Sequence, residues 1–139
     1  MTKILNQFYL GAPYEDLEFE LLVLPEKLQG IDNYSYIGVV HTPLLENYTY
    51  TIELFYEWDI LKGILLTFQS LAPEELIHIR ETILEETTGE INVLSAERIN
   101  LSQLGSPNSN LSPDMSYLFI SDISDIYSKF FLYYASNHT

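Results

Sequence analysis

The chain has no cysteine. Disulfides, thiolate zinc sites and cysteine nucleophiles are therefore excluded, and the absence fits a reducing compartment. Positive charge is scarce. Six Lys and Arg stand against 20 Asp and Glu, for a formal net charge of −14 at pH 7. A field of that sign repels nucleic-acid phosphates and anionic membrane surfaces, so neither is an expected partner. No apolar run approaches the about 20 residues of a membrane span. Met1–Leu10 carries one lysine and no long apolar run. No signal peptide is expected, and the expected location is the cytoplasm. A glycine-rich phosphate loop, a Gly-x-Ser-x-Gly elbow and a calcium loop are all missing. His41, His78 and His138 share no metal-ligand spacing, so neither a metal nor a cofactor is expected.

What is present is apolar and aromatic. Of the 139 residues, 47% are hydrophobic and 14% aromatic, which argues against disorder and for one domain over 1–139. Eleven are tyrosines, whose apolar body and polar tip suit half-buried strands and interfaces alike.

The clearest pattern runs from Tyr48 to Gly89. Tyr48, Tyr50, Ile52, Leu54, Tyr56 and Trp58 alternate with Thr49, Thr51, Glu53, Phe55 and Glu57. That period predicts a strand with one buried and one mostly wet face. A loop of about four residues, Asp59 to Gly63, predicts a hairpin into a second strand at Ile64, Leu66 and Phe68. Pro73 with Glu74 and Glu75 then signals a helix start. Leu76, Ile79 and Ile83 share one face, so a helix is predicted over Pro73–Thr87, with Gly89 as its stop.

Before this unit, Met1–Pro13 reads as an edge strand or an arm packed on the core. Leu17–Val23 alternates and reads as a strand ended by Pro25. Glu26–Asn33 reads as a loop, and Tyr34–His41 as a strand. After it, Ile91–Leu94 and Tyr117–Ile120 read as short strands. Residues 100–114, rich in Gly, Pro, Ser and Asn, read as a mobile polar loop. Ser121 or Asp122 is expected to cap a second helix, Asp122–Ala135. The expected fold is α+β: an antiparallel meander of about five strands with two amphipathic helices packed on one face.

The candidate site follows from charge. Glu53 and Glu57 share one side of a strand, with Asp59 at its end. Glu74, Glu75, Glu81 and Glu85 make an acidic helix. Phe55, an aromatic among carboxylates, has the composition of an interface hot spot with a polar rim. The alternative, ranked above it, is that Phe55 packs under the C-terminal helix. The first expected function is an immunity-type inhibitor, steered by its acidic surface to a basic toxin or nuclease and blocking it without chemistry. The alternative is an acidic secretion-type chaperone or adaptor, a homodimer holding a segment of a partner. A carboxylate-pair enzyme ranks third, so the chain is not expected to be an enzyme. The oligomeric state is not legible.

Overall fold

The computed structural model describes residues 3–87, 92–96 and 115–121. The class is α+β. Six strands form one antiparallel sheet: β3 (Leu21–Leu28), β4 (Ile31–Tyr36), β5 (Tyr50–Glu57), β6 (Ile60–Gln69), β7 (Asn92–Ala96) and β8 (Met115–Ser121). A separate two-stranded hairpin, β1 (Lys3–Ile4) and β2 (Phe8–Tyr9), precedes them. The helix α1 spans Pro73–Glu86, as its capping and spacing predict. The predicted second helix, the Gly89 stop and the 100–114 loop lie outside the described residues.

The sheet order is β3-β4-β5-β6-β8-β7. The expected meander holds for the first four strands only. The later hairpin then enters with β8 against β6 and β7 outside it, giving six strands where about five are expected.

Four local expectations change. The central hairpin turns on two residues, Trp58 and Asp59, both left-handed at φ 53° and 61°. Such a turn matches the twist of the paired strands, whereas a four-residue loop would end one strand early. Gly63, read as the end of a loop, therefore lies inside β6 opposite Phe55. Pro25 does not end its strand. It lies within β3, an edge strand, where a missing N–H is tolerated. Residues 18–20 form a 3-10 turn instead of the predicted strand, and β3 begins at Leu21. The turn to β4 is short, so Ile31–Asn33 is strand rather than loop, and β4 ends at Tyr36.

The larger change concerns the second sheet face. Ile52, Leu54, Tyr56, Ile64, Leu66, Phe68, Leu118 and Ile120 form the expected core with Leu76, Ile79 and Ile83 of α1. The alternate residues Phe55, Leu65 and Phe119 are also buried, at 0%, 3% and 0% exposure. Phe55 and Phe119 meet edge to face at 5.5 Å. The middle of the sheet is thus dry on both sides. Runs such as Ile64-Leu65-Leu66 and Tyr117–Ile120 are apolar at every position, the signature of strands covered twice.

The N-terminal segment is an arm packed on the core. Ile4, Leu5, Phe8 and Leu10 belong to that core. Its next residues zip onto the start of β6: Gly11 N donates to Leu61 O at 2.8 Å, Leu61 N to Ala12 O at 2.9 Å, and Tyr14 N to Asp59 O at 2.7 Å. The sequence pattern of the arm is brief, and these long-range backbone bonds decide its place.

Candidate docking surface

The predicted site residues divide between two sides of the sheet. α1 packs its apolar stripe on the core face, so exposed Glu74, Glu81 and Glu85 look outward from that side. Glu53 and Glu57 alternate with Tyr56 and share the side of Phe55. The sheet separates the two groups, so they form no single docking face.

Individually, several of these residues have structural partners. Phe55 is fully buried, so it is no exposed hot spot. Glu53 accepts from Asn33 Nδ2 at 3.0 Å. Glu75 accepts the Ala72 N–H at 3.2 Å and so caps α1. Burial, and then the Glu75 carboxylate beside it, pushes the Tyr48 phenol up. Glu81 pairs with Arg80 at 3.2 Å, in a half-exposed bridge that contributes little.

Asp59 is different. It shares the hairpin tip with Trp58, which is 92% exposed. The sequence pattern places Trp58 in the buried row, but the turn lifts it out of that row. Behind the tip, Tyr14, Tyr34 and Tyr56 form a mutual aromatic triad, with ring centroids 5.3 to 5.7 Å apart. Tyr14 is brought there by its backbone bond to Asp59, and Tyr34 and Tyr56 by the pairing of β4 with β5.

Aspartates converge on the triad. Burial raises the Tyr34 phenol first, then the charges of Asp32, Tyr14 and Asp59. Burial likewise raises Tyr56, followed by Asp16, Tyr14 and Tyr34. Asp16, Asp32 and Asp59 are all exposed. One end of the sheet therefore presents an exposed indole and a tyrosine edge among carboxylates. Tryptophan and tyrosine dominate interface hot spots, and aspartates there suit a cationic partner. Among the described residues, no group of three or more His, Asp or Glu is placed to hold a metal ion.

Comparison with protein-family models, with curated proteins and with solved structures finds no match. The hairpin tip with its tyrosines and aspartates is the candidate docking site. Of that site, only Asp59 belongs to the residues singled out from the sequence. Trp58, Tyr34, Asp16 and Asp32 escape a linear reading because they lie on three separate segments. The available signal is Trp-Asp between two alternating runs, since Asp tolerates the left-handed region that such a turn demands. No helix among the described residues is long and apolar enough to cross a membrane.

Proposed function

We propose that the protein is an acidic, cytoplasmic protein-binding protein of the immunity type. It docks on a basic toxin or nuclease domain and blocks the cationic active site, with no chemistry of its own. One observation carries the reading: Trp58 is 92% exposed in a left-handed conformation, beside Asp59. An exposed indole gains little from folding, and a bulky residue at positive φ costs backbone energy. A sequence that spends stability on presenting this side chain has a use for it outside the fold. The surrounding carboxylates steer a cationic partner and set its orientation, while the indole and Tyr34 supply desolvated contact area.

The test is co-expression with basic toxin or nuclease domains, followed by purification and a salt titration. A tight one-to-one complex, weakened by salt and by Trp58→Ala, with loss of toxicity, is the expected result. Survival without a complex, or a complex indifferent to Trp58, would count against it. The chaperone reading draws on a separate observation, the exposure of Leu22, Val23, Ile37 and Val39 around β3. It requires a homodimer that holds one extended segment largely independently of salt.

A further inference from the structure

The outer side of β3 is a free sheet edge: among the described residues, no strand pairs with it. Its ladder to β4 sets which backbone groups are free. Ile37 N donates to Glu20 O at 2.8 Å, and Leu21, Leu22, Val23 and Leu24 then face Tyr36, Ser35, Tyr34 and Asn33. Antiparallel pairs alternate between those that exchange hydrogen bonds and those that do not. Leu22 and Leu24 therefore bond inward to β4. Leu21 and Val23 turn their N–H and C=O outward. The register shifts after Leu24, and Pro25 has no N–H to extend a ladder. The free edge is short and has a defined end.

Its surroundings are apolar and acidic. Val23 is 79% exposed and Leu22 55%. Phe19, just before the strand, is 92% exposed between Glu18 and Glu20. Glu26 follows Pro25 and holds the turn by accepting from Gly30 N at 2.8 Å.

These features discriminate between occupants. A second copy of the chain is disfavoured. Antiparallel self-pairing centred on Leu22 sets Glu18 opposite Glu26, and centring on Val23 sets Glu20 opposite Glu26. Like charges directly opposite destabilise a pair, and each copy also carries −14 overall.

We propose that β3 accepts an added strand from a partner: an extended cationic segment that lies along Leu21–Leu24. Its backbone bonds to the outward groups of Leu21 and Val23. Its positive side chains lie toward Glu18, Glu20 and Glu26, and its apolar ones lie on the opposite face, beside Leu21 and Val23. The inference rests on the reading that the partner is cationic, but it uses a surface distinct from Trp58.

The test uses the full chain and a capped peptide alternating lysine and valine over about seven residues, long enough to span the free edge. Amide hydrogen exchange is followed residue by residue. At saturating peptide, the Leu21 and Val23 amides should slow by about tenfold or more, while those of Leu22 and Leu24, already bonded, should barely change. Val23→Pro removes one outward N–H without touching the ladder to β4. It should weaken the peptide by roughly three- to tenfold, the value of one hydrogen bond. Should that variant fold poorly, E20Q/E26Q serves instead, and should weaken the peptide and flatten its salt dependence. A glutamate-valine peptide should not bind. Trp58→Gly should leave the protection intact, so failure of the hairpin-tip reading and failure of the edge are separable. No binding, or binding without protection at Leu21 and Val23, overturns the proposal. Protection that rises with protein concentration in the absence of peptide overturns it in favour of a second copy.

Discussion

The ring of Phe119 occupies the space beside Gly63 that any other side chain would need. A Cβ on Gly63 would stand 2.6 Å from Phe119 Cζ and 2.9 Å from Cε1. Both residues lie in neighbouring strands, and Phe119 is fully buried against Phe55. Gly63→Ala should destabilise the fold by about 1–3 kcal/mol through overpacking. A fall in the denaturation midpoint at unchanged slope is the measurement. An unchanged midpoint would show that the second face is looser than it looks.

Tyr56 carries a buried hydroxyl with no hydrogen-bond partner among the described residues. An unsatisfied buried donor costs about 1–3 kcal/mol. Tyr56→Phe should therefore be neutral or stabilise the fold by up to about 1 kcal/mol, since the ring packing with Tyr14 and Tyr34 is kept. A clear loss of stability would reveal a partner for that hydroxyl.

Alkaline pH should weaken the fold. Tyr34, Tyr36, Tyr48, Tyr50 and Tyr56 are all raised above 10.0, burial being the first cause in each. Below pH about 10 these phenols are protonated in both the folded and unfolded states, and stability does not vary on their account. Above it the unfolded chain releases protons first, so stability falls as pH rises through the raised values. Equilibrium unfolding across that range should show the decline, with a shallower slope in Tyr56→Phe.

Trp58 is the only tryptophan in the chain, so fluorescence excited selectively at tryptophan reports on the hairpin tip alone. At 92% exposure its emission should resemble that of indole in water and be quenched freely by iodide. A docked partner should shift it to the blue and protect it. Trp58→Gly relieves the positive φ and should leave the fold unchanged or more stable by up to about 1 kcal/mol. The same change should cut partner affinity tenfold or more, as expected of a hot spot. Equal affinity would remove Trp58 from the site.

Gln7 ties the N-terminal arm to the loop after β4. Its Nε2 donates to Tyr36 Oη at 2.8 Å and Val39 O at 2.9 Å, and its Oε1 accepts from His41 N at 2.7 Å. Gln7→Ala should cost about 1–3 kcal/mol and speed exchange of the His41 amide. If His41 exchanges at its original rate, the arm and loop are held by packing alone.

Local elements whose signals are short in range are legible in the sequence. Pro73, the paired glutamates and the Leu76–Ile79–Ile83 spacing define α1 within a residue of its observed end. Alternation through Ile52, Leu54 and Tyr56 identifies the core side of β5. Both follow from helix and strand periods that neighbouring residues impose. The rest depends on contacts between distant segments. Phe55 shares its strand face with Glu53 and Glu57, so the sequence leaves it between a hot spot and a packed position; its burial depends on β6 and β8, which supply Leu65 and Phe119. Trp58 reads as buried by its parity, yet a two-residue left-handed turn breaks that parity. The sequence does not say which acidic face docks; the sheet stands between the acidic helix and the glutamates of the hairpin, and the aspartates beside the tyrosine triad come from distant segments. Strand order, turn geometry and the backbone bonds of the arm are long-range terms, set by which pairings bury the most apolar area while satisfying every backbone group.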